Sequence, residues 1–119
     1  MIATKRLQVR VYLDASGPNP VLHVQAYDEN GFEIQEPLDG MEYAVLELRR
    51  GSSLVTVDSQ VNPEMIVFVG KRSIKLALGS LKIKKGGWFA RLKVFDVAHP
   101  NGQVLSHEVG PNVLLIEFV

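Results

Sequence analysis

The run Gly86-Gly87-Trp88-Phe89-Ala90-Arg91-Leu92-Lys93-Val94-Phe95-Asp96 decides the fold. Trp88, Ala90, Leu92 and Val94 fall on one parity, and Phe89, Arg91, Lys93 and Phe95 on the other. Successive side chains of an extended chain point to opposite faces, so an apolar row on one parity buries one face of a strand. A helix would need its apolar residues three and four apart and could not gather this set on one side. This is the clearest core strand in the chain.

The same alternation extends outward from it. Residues 6–13 set Leu7, Val9, Val11 and Leu13 against Arg6, Gln8, Arg10 and Tyr12. Beyond the turn-forming Ser16-Gly17-Pro18-Asn19-Pro20, residues 21–28 turn Leu22, Val24 and Ala26 inward and stop at Glu29-Asn30-Gly31, whose Asn-Gly pair marks a tight turn. A loop carrying Pro37, Asp39 and Gly40 leads into residues 42–50, where Ala44, Leu46 and Leu48 alternate with Tyr43, Val45, Glu47 and Arg49. Met41, Val45 and Leu48 also fit helical spacing there. Gly51-Ser52-Ser53 followed by Leu54-Val55-Thr56-Val57 favours a hairpin instead.

Further strands are expected over residues 65–69, 73–78, 103–108 and 113–119, with a turn at His99-Pro100-Asn101-Gly102. About eight or nine short strands with no convincing long helix predict an all-β antiparallel sandwich. Residues 1–119 make a single domain, with Leu7, Leu22, Leu46, Leu76, Trp88, Leu92 and Val94 in its core. The closing run Leu114-Leu115-Ile116-Glu117-Phe118-Val119 ends without a polar cap and is expected to be able to add to a neighbour's sheet.

Composition narrows the function classes. The chain has 119 residues, 46% hydrophobic and 22% charged, which is ordinary globular usage and indicates neither disorder nor a membrane span. The absence of cysteine removes disulfides, thiolate metal sites and thiol nucleophiles. Met1-Ile2-Ala3-Thr4-Lys5-Arg6 lacks the apolar stretch of a signal peptide, so a cytoplasmic location is expected. The net charge is zero, but the signs are segregated. Seven acids from Asp28 to Glu47 have no Lys or Arg among them, and eight bases from Lys71 to Lys93 have no acid among them. Such runs either are solvated strand faces that pair across the sandwich, or form an acidic and a basic surface that steer association.

Catalytic and metal chemistry find little support. The three histidines, His23, His99 and His107, are isolated in sequence, without metal-ligand spacing. No Gly-x-Ser-x-Gly element is present, and Ser52, Ser53, Ser59, Ser80 and Ser106 read as turn or strand-end residues. Glu33, Glu36 and Asp39 lie in loops, where solvation is simpler than a glycosidase pair with one raised pKa. Asp28-Glu29-Asn30-Gly31 lacks the later acid of a calcium loop, and Gly70, Gly86 and Gly87 sit between strands rather than before a helix. No cofactor or metal is expected. A nucleic-acid platform would need aromatic rings exposed beside the cations. Phe89 and Phe95 share the outward face with Arg91 and Lys93, but zero net charge favours a protein interface over nucleic acid.

Four stretches carry a family likeness: Asp28-Glu29-Asn30-Gly31 ahead of Pro37-Leu38-Asp39-Gly40, then Ala44-Val45-Leu46-Glu47-Leu48-Arg49-Arg50-Gly51, then Ser73-Ile74-Lys75-Leu76-Ala77-Leu78, and last the run from Gly86 to Asp96. In this order, from Asp28 onward, the chain resembles the immunoglobulin-like N-terminal module of phage baseplate upper proteins and related tail-associated sandwiches. The last stretch is similar to the Gly-x-Tyr-x-Ala-x-Leu-x-Val-x-Asp strand of such domains, with Trp88 where Tyr is usual, so the hydroxyl bond of a tyrosine corner is not expected. The resemblance implies an immunoglobulin-like sandwich with a structural role in a phage or prophage virion, in tail, baseplate or neck assembly.

That role implies other virion or tail subunits as partners, a homo-oligomer, no membrane and no catalysis. It places the chain in the host cytoplasm and in the virion. Candidate interface residues are Glu33, Glu36, Asp39, Lys82, Lys84, Lys85, Phe89, Arg91 and Phe95. The alternative is a carbohydrate- or other ligand-binding sandwich with Tyr12, Tyr27, Tyr43 or Phe95 as its platform.

Overall fold

Parity becomes architecture in the computed structural model, which describes residues 2–4, 7–14, 17–104 and 114–119. Ten strands and no helix form among the described residues. They are β1 (Ile2–Thr4), β2 (Leu7–Val11), β3 (Val21–Ala26), β4 (Tyr43–Arg50), β5 (Ser53–Asp58), β6 (Ile66–Val69), β7 (Ser73–Leu76), β8 (Gly86–Phe95), β9 (Gln103–Val104) and β10 (Leu114–Phe118). Two mostly antiparallel sheets result, one ordered β1-β3-β7-β6 and the other β2-β10-β8-β4-β5, with β9 pairing the far end of β8. The class is therefore all-β and sandwich-like. The strand beyond the expected eight or nine is β1, whose three residues are too few to display a period. The strand expected over residues 103–108 is described only as β9, the rest lying outside the described residues.

The inner faces of both sheets meet in one continuous cluster. Leu22 and Val24 of β3, Ile66 of β6 and Ile74 and Leu76 of β7 join Leu46, Leu48, Leu92, Val94, Ile116 and Phe118 of the opposing sheet. Of the expected core, Leu22, Leu46, Leu76, Trp88, Leu92 and Val94 are buried, while the side chain of Leu7 lies outside those described. Residues 43–50 are strand, with Ala44, Leu46 and Leu48 buried, because hairpin pairing with β5 rewards a period of two. Arg50 stands opposite Ser53, and Gly51 makes the turn at φ 59, in the left-handed region glycine accepts without strain.

Two features escape the alternation rule. Leu38, in the loop that carries Pro37, Asp39 and Gly40, is buried in the core, and its amide donates to the carbonyl of Lys71. The N-terminal segment also changes sheets: β1 pairs antiparallel with β3, while β2 runs parallel to β10 from Leu7 opposite Leu114 to Val11 opposite Phe118. The latter pairing corrects one expectation. β10 lies between β2 and β8, so its hydrogen-bonding edges are taken and it cannot extend a neighbour's sheet. At the start of β8 the Trp88 indole N–H donates to the carbonyl of Lys84, 3.0 Å away and four residues upstream, which satisfies the one polar atom of this buried ring.

Candidate functional site

Each strand that buries one parity in the core displays the other on the outer face of its sheet, and pairing register arranges those outward residues in levels. On the larger sheet one level runs Gln8, Leu115, Phe89, Arg49, Leu54 across five strands. The next holds Arg91, Glu47 and Thr56, the following one Lys93, Val45 and Asp58, and the last Phe95 and Tyr43. Phe89 is 64% exposed, a large exposure for an apolar side chain in the middle of a sheet face, and Leu54 on the edge strand β5 is 50% exposed. A groove of about 240 Å³ follows the ring, lined by Glu47, Arg49, Phe89, Ala90 and Arg91.

The charges on this face are ordered. Arg91 and Lys93 project from β8, and Glu47 and Asp58 from β4 and β5. Lys93 Nζ approaches Glu47 Oε1 to 3.4 Å, and that buried oxygen accepts no hydrogen bond. Phe95 is set apart from Phe89. It stacks on Tyr43 with ring centroids 4.5 Å apart and planes 3° from parallel, and its other neighbour is Gly102, where a Cβ would stand only 2.9 Å from the ring. Gly102 has φ 84, so a side chain there meets both strain and the ring.

The other expected interface residues fall into two separate places. Glu33, Glu36 and Asp39 gather at the turn between β6 and β7. Arg72 reaches Glu33 at 3.2 Å, and Lys71 reaches Glu36 at 3.3 Å and Asp39 at 3.4 Å. The hydrogen bond from Lys71 to Glu36, reinforced by the charges of Asp39 and Glu36, raises the lysine above its ordinary value. Lys82, Lys84 and Lys85 precede β8, at the end of that strand opposite Phe95. There Arg50 Nη1 donates to the carbonyl of Lys85 at 2.8 Å, and Arg50, Ser53, Lys84, Lys85 and Trp88 line a hollow of about 400 Å³. Acids and bases far apart in sequence thus meet only in part. The Lys71 and Arg72 turn is paired with the acidic loop, whereas Lys84 and Lys85 make no ion pair among the described residues.

Isolated histidines find local partners. His23 Nδ1 lies 2.8 Å from Ser73 Oγ, and His99 Nδ1 lies 2.8 Å from Asp96 Oδ1, which also accepts from the His99 amide. His107 is outside the described residues. Asp28 Oδ1 accepts the amides of Asn30 and Phe32, turn chemistry rather than a cation loop. Among the described residues no three His, Cys, Asp or Glu side chains group as metal ligands, and no helix is long and apolar enough to cross a membrane. Of the aromatic residues considered as a sugar platform, Tyr43 and Phe95 cover each other and only Tyr27 is well exposed.

Sequence reading set Arg49 on the outward parity of its strand, but it counted neither Arg49 nor Leu54 nor Leu115 among the interface residues. The signal was present in part, because the short turn at Gly51 sets the register that brings Leu54 opposite Arg49. Among known proteins, the chain matches no family model and no curated protein.

Proposed function

We propose that the chain is an immunoglobulin-like sandwich that serves as a structural protein of a phage or prophage virion, in tail, baseplate or neck assembly, by protein–protein contact and without catalysis. The observation that carries the contact reading is Phe89, 64% exposed in the centre of a regular sheet face and level with Leu54 and Leu115. The immunoglobulin-like reading is supported by strand order. With β1 as A, β3 as B, β7 as E and β6 as D, the small sheet runs ABED, and the larger one runs A′GFCC′ from β2 through β10, β8 and β4 to β5. The indole bond from Trp88 to Lys84 occupies the place of the upstream bond that a corner tyrosine makes in such sandwiches.

The virion setting draws on the resemblance of the four sequence stretches, and its partners are other tail subunits and further copies of the chain. It is tested by purifying particles from an induced or infected host that encodes the chain and analysing them by mass spectrometry. Stoichiometric presence in intact particles is expected. Particles that assemble fully and lack the chain would overturn the virion role.

A further inference from the structure

The outer face of the larger sheet is complementary to itself, and we infer that it docks on the same face of a second copy through a two-fold axis. The inference rests on reading this face as a protein contact. Adjacent strands lie about 4.8 Å apart, and residues opposite one another in register stand at one level along them. Let the two-fold axis lie in the contact plane, along the strands and midway between β8 and β4. Rotation about it exchanges β8 with β4, and β10 with β5, keeping each level in place.

Two adjacent levels then match in chemistry. Phe89 lies over Arg49 of the second copy, a cation against a ring face, and each copy supplies one of each. Leu115 lies over Leu54 of the second copy, apolar on apolar. One level on, Arg91 lies over Glu47 of the second copy, opposite charge on opposite charge, again twice. Had Arg91 and Glu47 both been cations, or had Phe89 stood opposite an acid, the same rotation would have placed like on like or a carboxylate on a ring. An axis inclined by about 15° to the strands gives the roughly 30° crossing at which twisted sheets pack face to face. A closed pair of this kind is the commonest symmetry of soluble assemblies, and it covers Phe89 and Leu54 of both copies at once.

Sedimentation velocity over rising concentration tests the pair. Wild type is expected to shift from monomer to dimer, and Arg91→Glu and Glu47→Arg are each expected to weaken that association by about tenfold or more, because each puts two like-charged contacts into the interface. An equimolar mixture of the two variants is expected to regain a dimer, since residue 91 of one then meets the opposite charge at residue 47 of the other in both contacts. Melting curves of each variant check that it is folded.

An independent probe uses the absence of cysteine. β5 and β10 are separated by two strands, so a Leu54→Cys and Leu115→Cys double variant cannot close a disulfide within one chain. Mild oxidation is expected to give a covalent dimer from the double variant and far less from either single one. A wild type that stays monomeric at every concentration would overturn self-docking while leaving contact with a different tail subunit to the particle analysis. A dimer that neither the mixed variants nor the cysteine pair reproduces would place the two-fold contact on another surface and overturn this one.

Discussion

The two faces of β8 differ in what holds them. On the inner face Trp88, Ala90, Leu92 and Val94 are each buried, and their neighbours come from both sheets. On the outer face Phe89 is exposed, Arg91 is exposed, Lys93 pairs with Glu47 across the sheet, and Phe95 is covered by Tyr43. Water exclusion makes one demand on every inner position, so a period of two in the sequence suffices to identify them. The outer positions answer to whichever residue the register places beside them. Four residues of one strand therefore meet three different fates.

The largest expected effect breaks the inner face. Leu92→Ala leaves a void between the sheets and is expected to cost about 2–5 kcal/mol of stability, measured by chemical denaturation. Trp88→Phe keeps most of the volume but removes the bond to the carbonyl of the exposed Lys84, with an expected loss of about 0.5–1.5 kcal/mol by the same measurement.

The outer face is expected to respond in the opposite way. Phe89→Ser should change stability by no more than about 0.5 kcal/mol while abolishing the concentration dependence of sedimentation. The comparison would collapse if this substitution unfolded the protein, because Phe89 would then belong to the core in all but geometry. The smallest effect is expected at the acidic loop, where the ion pairs are exposed: Lys71→Ala should leave the melting temperature at neutral pH unchanged. Whatever the raised pKa of Lys71 contributes is present below the ordinary lysine range and is lost as pH rises through the higher folded-state value. A melting curve that responds to the substitution only at acid pH would contradict that direction.

The legibility of this molecule follows the same division. The strands at 21–26, 43–50 and 86–95 could be read from alternation, as could the tight turns at Gly31 and Gly51, since each depends on residues adjacent in the chain. Leu38 could not, because a single leucine between Pro37 and Asp39 has no period, and it reaches the core only where the loop crosses Lys71. Nor was the position of β10 readable. A terminal apolar strand looks the same whether it lies at an edge or between two neighbours, and only the parallel pairing with β2 closes its free side. For the candidate site, Phe89 and Arg91 were visible as outward residues of an apolar strand, whereas Arg49, Leu54 and Leu115 joined them only through cross-strand register.

By itself, then, the sequence determined which side chains of the alternating strands face inward and where the chain must turn, because parity and turn chemistry are local. Tertiary structure alone decided which strands are neighbours. It thereby decided that the acidic loop is paired with Lys71 and Arg72, while Lys84 and Lys85 make no ion pair among the described residues. It also assembled the level of Leu115, Phe89, Arg49 and Leu54. Charge and ring contacts act over a few ångströms of space, and in a sheet that distance is spanned by residues dozens of positions apart in the chain.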